Sequence, residues 1–212
     1  SKLVDIIGDK GTLFVPTFTY SFSSLNNHKK NIFDINNSIS KVGPFGEFIR
    51  KSNQSFRSTD PMLSIASIGK NKKILKNQSN SSYGKGCAFE ILKDVSNLKI
   101  VNIGIGANYI PFLHYLDFLV RSKHRYDKYF KGFIKKNKSL NLIKWHYPVA
   151  YKRKEANANG YRIAAKAKKD KIKMSKLGMG NIYVSNYNEL LNFALKLIRL
   201  NPWISADGPP FK

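Results

Sequence analysis

The chain has 212 residues and a formal net charge of +24, from 37 Lys and Arg against 13 Asp and Glu. Its 42% hydrophobic and 13% aromatic residues are ordinary for one globular domain with a sizeable core, and no apolar run is long enough to cross a bilayer. The single cysteine, Cys87, excludes an internal disulfide framework and a multi-cysteine zinc site, so the cytoplasm is the expected compartment. A field this positive attracts polyanions: nucleic acid, an acidic membrane surface or phosphorylated small molecules.

In chain order, "SKLVDIIGDKG" reads as the last turns of a helix and a glycine turn. "TLFVPTFTY" is a buried strand that stops at Pro16, and "SFSSLNNHKKN" is a polar loop. "FDINNSISKVGPFGEFIRK" leads into a short helix with Phe45, Phe48 and Ile49 on one face. "MLSIASIG" is strand-like, and "NQSNSSYGKGCAFEIL" is a loop that enters a helix near Cys87. "NLKIVNIGIG" has the apolar character of a central strand and ends in glycines. "NYIPFLHYLDFLVR" has helical spacing, with Phe112, Leu113, Leu116, Leu119 and Val120 as its apolar stripe. "LIKWHYPVAY" is a further strand, residues 152–176 are a basic surface arm, "NIYVSN" is a short strand and "YNELLNFALKLIRL" is an amphipathic helix. Strands alternating with helices predict an α/β fold with helices on the faces of a sheet.

Several constellations carry chemistry. His114 and Asp117 have i,i+3 spacing on a predicted helix and share a face. That helix follows the glycine-rich end of a predicted strand, where open α/β sheets place their ligand crevice. The pair is a candidate general base with its orienting carboxylate; spacing alone leaves open a half-buried histidine satisfied by a neighbour. Thr17 and Thr19 flank Phe18 and point to one side, either toward substrate or into the turn after Pro16. "GKG" at 84–86 and "GIG" at 104–106 complete neither a dinucleotide fingerprint nor a Walker motif. Cys87 reads as packed rather than nucleophilic, and no metal site is expected. A nucleic-acid role for residues 152–176 lacks any recognition-helix or stacking signature, so no specific nucleic acid is expected as partner.

These segments together resemble the aminoglycoside 3-N-acetyltransferase family and its acyltransferase relatives of surface-sugar biosynthesis. "GDKGTLFVPTFTYSF" looks like the family's glycine turn and strand ending in Pro-Thr-x-Thr. "FRSTDPMLSIASIGK" is similar to its Arg-Ser-x-x-Pro-x-x-Ser motif, and "YGKGCAFEIL" to its Gly-x-Gly-Ser-Pro-Phe-Glu element, with Cys87 and Ala88 in place of Ser-Pro. "HYLDFL" occupies the place of the His-x-x-Glu helix, and "KLGMGNIYV" and "SADGPP" follow in the same order.

The resemblance implies a three-layer α/β/α sandwich with a central mixed sheet, formed by one domain over 1–212 that lacks the family's N-terminal strand–helix region. It implies acetyl-coenzyme A as donor and a primary amine of an amino sugar, free or nucleotide-linked, as acceptor in surface-polysaccharide biosynthesis. His114 takes the place of the general base and Asp117 that of its acidic partner. Thr17, Thr19, Asp60 and Ser64 are the implied substrate contacts; Arg57, Ser58, Gly104 and Gly106 are the implied coenzyme A contacts. Asp60 stands where the antibiotic-modifying branch has His, and Asp117 where the family has Glu. The alternatives are an aminoglycoside antibiotic 3-N-acetyltransferase and a degenerate relative without catalysis.

Overall fold

A computed structural model of the chain describes residues 2–24 and 27–208. Leu25 and Asn26 of the polar loop, and Pro209 and Pro210 of the closing "SADGPP", lie outside the described residues. The chain opens with α1 (Lys2–Ile7), β1 (Thr12–Pro16), β2 (Ile32–Asp34) and α2 (Pro44–Lys51). Next come β3 (Phe56–Arg57), β4 (Ile65–Gly69), α3 (Ala88–Ile91), β5 (Lys99–Ile103) and α4 (Leu113–Leu119). The long β6 (Arg125–Lys136) and β7 (Ser139–Ala150) follow, then α5 (Tyr161–Ala167), β8 (Lys173–Leu177), β9 (Gly180–Asn186) and α6 (Tyr187–Leu200). The expected α/β class is the one observed, with mixed strand pairing in three three-stranded sheets among the described residues.

Two compact units share the chain. The first takes the residues up to Ile91 together with Tyr129–Tyr147; the second takes Leu92–Lys128 and the residues from Pro148 onward.

In the first unit, β4 pairs antiparallel with both β1 and β3, with Val15 opposite Ala66. Val15, Ala66 and Ile68 form one apolar cluster with Ile49 of α2. Only Ile49 of the predicted α2 face is in that core; Phe45 and Phe48 are exposed. An eight-residue helix has too few turns to bury a wide stripe, and its Glu47–Arg50 ion pair occupies a second face. Gly69 ends β4 at φ +117°, where a Cβ would collide with the Gly11 carbonyl oxygen, so the position requires glycine. The second sheet has the order β2-β6-β7, and β2 runs parallel to β6 with Phe33 opposite Ile134. Asn137 turns the chain between β6 and β7 at φ +54°, a left-handed conformation that Asn tolerates. Trp145 of β7 is fully buried and donates its indole N–H to Ser82 Oγ at 2.9 Å.

In the second unit the sheet order is β5-β9-β8, antiparallel throughout. The strand predicted as central, β5, is an edge of this sheet, and its Val101 and Ile103 are exposed. α6 begins at an Asn186 cap that accepts from Glu189 N–H, and buries Leu190, Leu191, Ala194 and Ile198 at helical intervals. Each of the Leu and Ile side chains among them contributes about 1.5–3 kcal/mol on burial. α4 and α5 pack against α6. The basic stretch 152–176 is therefore not a solvated arm: Ile163, Ala164 and Ala167 of α5 are buried within it, and its end enters β8. Apolar spacing between the lysines carries that packing, and the charge count conceals it.

Candidate active site

Asn102, at the end of β5, shapes the approach to the site. Its side-chain amide donates to the carbonyls of Gly106 (2.9 Å) and Tyr109 (3.2 Å) and fixes the turn that leads into α4. Gly104 in this turn has φ +69° and open space where a Cβ would stand.

In the first turn of α4, His114 Nδ1 lies 3.3 Å from Oδ2 of Asp117 three residues on. The Asp117 side chain is fully buried, whereas the His114 side chain keeps 21% of its exposure. Asp117 gathers partners from two further stretches of chain, residues 122–125 and the loop at Ser205. Arg125 Nε donates to Oδ2 at 2.5 Å, and Ser205 Oγ donates to Oδ1 at 2.5 Å. Ser122 Oγ donates to Oδ1 at 3.3 Å. His124 Nε2 stands 3.3 Å from Oδ1 without hydrogen-bond alignment, and its ring stacks on Trp203 at 4.9 Å. The loop that carries Ser205 is anchored by Asn159 N–H donating to the Ser205 carbonyl, and by Arg162 donating to the Asp207 carbonyl.

The electrostatics follow from this packing. Burial alone raises the Asp117 pKa, but the imidazoles of His114 and His124 and the Arg125 charge overcome it and hold the carboxyl far below the usual range. An ionised carboxylate only accepts, so His114 Nδ1 carries the hydrogen and Nε2 is the basic atom. Burial lowers the His114 pKa below its ordinary value; the hydrogen bond to Asp117 works against that, and Arg125 and His124 reinforce it. The imidazole is thus neutral at neutral pH and competent to take a proton.

The other predicted contacts fall in the first unit and are buried there. Thr17 Oγ1 donates to the Ser64 carbonyl at 3.0 Å, and Ser64 Oγ donates back to the Thr17 carbonyl at 2.6 Å. Thr19 Oγ1 donates to the Pro61 carbonyl at 2.7 Å. Arg57 donates to Ser64 Oγ and to the carbonyls of Ile35, Ser38 and Thr17, and burial pushes its pKa down to about 10. Ser58 Oγ accepts from Ile65 N–H at 3.0 Å. Asp60 Oδ1 accepts from the amides of Met62 and Leu63, both at 2.8 Å, and from Ser82 Oγ at 3.0 Å. This is an Asx turn at Asp-Pro in a residue only 1% exposed, so its carboxylate faces the interior. Gly104 and Gly106, by contrast, lie in the second unit with His114.

Cys87 is fully buried, and burial pushes its thiol up to about 12, which agrees with a packed role. Among the described residues no group of three His, Cys, Asp or Glu is arranged to hold a metal ion. Nor is any helix among them long and apolar enough to cross a membrane. Motif spacing did not reveal Arg125, Ser122 or Ser205, although "SADG" carries Ser205 within a segment of family character.

The sequence profile described as aminoglycoside 3-N-acetyltransferase matches residues 1–199. The chain belongs to this family. It is accordingly an N-acetyltransferase of the acetyl-coenzyme A-dependent kind. Among solved structures it resembles sisomicin-bound AAC-VIa, with a TM-score of 0.77 and 15% identity over 93% of this chain and 82% of that one. Aminoglycoside acetyltransferase AAC(3)-Xa also gives 0.77, with 16% identity over 92% and 77%. The binary complex of AAC-IIIb with CoASH gives 0.75, with 15% identity over 97% and 81%. At these identities the likeness is one of fold. No curated protein matches the chain in sequence.

Proposed function

We propose that the chain transfers the acetyl group of acetyl-coenzyme A to a primary amine of an amino sugar, with His114 as general base. The observation that carries this reading is the His114–Asp117 pair on α4, which leaves Nε2 as a neutral base beside a buried, ionised orienting group. The amine nitrogen bonds to the acetyl carbonyl carbon as Nε2 takes its proton. The carbon–sulfur bond then breaks, and the proton passes to the departing thiolate to give an amide and free coenzyme A. With both substrates held together, orientation replaces a covalent enzyme intermediate. The Gly104–Gly106 turn, with open space beside the Gly104 Cα, is the surface we assign to coenzyme A. Thr17, Thr19, Arg57, Ser58, Asp60 and Ser64 act by shaping the interior of the first unit.

For the acceptor we propose a nucleotide-linked amino sugar of surface-polysaccharide biosynthesis. A protein of net charge +24 attracts an anionic acceptor and repels a polycationic aminoglycoside. The second reading, an aminoglycoside acceptor, is favoured by the likeness to sisomicin-bound AAC-VIa.

The test is thiol release from acetyl-coenzyme A over a panel of nucleotide-linked amino sugars and aminoglycosides, beside the His114→Ala variant. Release with a sugar nucleotide, lost in the variant, is expected. Release only with aminoglycosides overturns the acceptor, equal release by both proteins overturns the base, and the absence of release with every acceptor tested supports a degenerate relative.

A further inference from the structure

We propose that Arg125 is a positioning residue of this site, seated on the same carboxylate oxygen as His114 so that the imidazole works as a neutral base near pH 7. The proposal rests on the reading of His114 as that base.

The geometry is specific. Arg125 Nε and His114 Nδ1 both address Asp117 Oδ2, at 2.5 and 3.3 Å. The Arg125 side chain is only 7% exposed and that of Asp117 is fully buried, so solvent screens this contact little. A carboxylate alone beside an imidazole favours the imidazolium, which cannot accept a proton. A guanidinium on the same oxygen balances that charge and disfavours a second cation next to it. Its donation also holds the carboxylate, so that Oδ2 continues to accept from Nδ1 and Nε2 remains the basic atom. Among the described residues, the charged or titratable groups against His114 include Asp117 on its own helix, Arg125 at the start of β6 and His124 just before it. His124 sits on the other oxygen, Oδ1, and Ser122 and Ser205 donate there without charge. Arg125 is thus the permanent cation of the cluster. The pairing crosses from α4 to β6, and helix periodicity contains no sign of it.

The experiment uses the full chain and reads two quantities: the pH dependence of kcat/KM for thiol release, and the NMR titration of His114 with labelled imidazoles, assigned with His114→Ala. Arg125→Gln removes the charge and Arg125→Lys keeps it. In the Gln variant the acid limb and the His114 titration are expected to move upward together by about one pH unit, with the Lys variant within about 0.3 units of wild type.

An activity loss at all pH values with an unmoved limb overturns the proposal in favour of a structural role. Equal shifts in Gln and Lys variants overturn the assignment to charge. If Arg125→Gln leaves Asp117 unpaired and the protein unfolded, Asp117→Asn is compared with Asp117→Asn/Arg125→Gln, which buries no unpaired charge. The double variant is then expected to titrate His114 about one unit above the single variant, and equal titrations overturn the proposal. If His114→Ala retains full activity, the base reading falls. An NMR shift in Arg125→Gln without a change in the rate profile overturns the positioning role of Arg125 in the reaction while leaving the contact.

Discussion

Ser205 Oγ donates to Asp117 Oδ1 at 2.5 Å, across 88 residues of chain. The contact ties the segment after α6 to the carboxylate behind His114. Ser205→Ala leaves that oxygen with the Ser122 hydroxyl and the unaligned His124 ring. A hydrogen bond to a buried charge contributes about 1.5–3 kcal/mol. Urea unfolding is expected to show a loss of that size, and kinetics a several-fold lower kcat with KM for acetyl-coenzyme A unchanged. A raised KM with kcat intact would mean that Ser205 serves substrate binding and not Asp117.

Arg57 connects four acceptors that belong to three segments of the first unit. The planar fork of a guanidinium reaches them together, and a lysine ammonium cannot. Arg57→Lys is expected to cost about 2–4 kcal/mol by leaving buried carbonyls without donors. Calorimetric coenzyme A affinity of the folded fraction is expected to be unchanged. A specific loss of that affinity would restore Arg57 as a cofactor contact.

The Asp60 carboxyl is pushed up to about 6, because burial outweighs its hydrogen bonds from Leu63, Met62 and Ser82. The folded state therefore binds this proton more tightly than the unfolded state. Its stabilisation is complete below about pH 4 and is lost as pH rises to about 6. Only Oδ1 accepts from these three donors, so Asp60→Asn can keep them and mimic the protonated form. Wild type is expected to lose on the order of 2–3 kcal/mol relative to Asp60→Asn between pH 4 and 7, as read from paired urea melts. A constant difference across that range would contradict the assignment.

Cys87 is expected to ignore thiol reagents in the folded protein at pH 8 and to react fully in denaturant, since its thiol is buried and pushed up to about 12. Cys87→Ala is expected to keep its coenzyme A affinity. Rapid native labelling would show that the α3 segment opens.

Much of the fold was legible because local rules decide it. α6 has a cap, an apolar stripe and a stop, and β1 ends at Pro16. β6 was not, because its alternation of Lys with Tyr, Phe and Ile over Arg125–Lys136 has none of the continuous apolar character looked for in a strand. β5 was misjudged as central because its apolar residues say nothing about which neighbours pair with them. In the site, i,i+3 spacing put His114 and Asp117 on one helix face, and the family resemblance singled them out as a base and its partner. Arg125 and Ser205 reach that carboxylate only through tertiary folding, and no short-range pattern encodes such a meeting. For Asp60 the resemblance implied a substrate contact while its Asp-Pro pattern equally fitted an Asx turn, and its hydrogen bonds go to Met62, Leu63 and Ser82 as in that turn.

The order of the two units along the chain has a consequence for synthesis on the ribosome. The first unit needs Tyr129–Tyr147, and its buried Trp145 docks on Ser82. A nascent chain that has emerged only to Ile91 therefore lacks the strands that cover Phe33 and Ser82. Residues 92–128 must emerge and wait before either unit can close. Translation pauses within that interval would prolong an open nascent state, and truncation at Ile91 would yield a product for proteolysis and not a smaller folded domain.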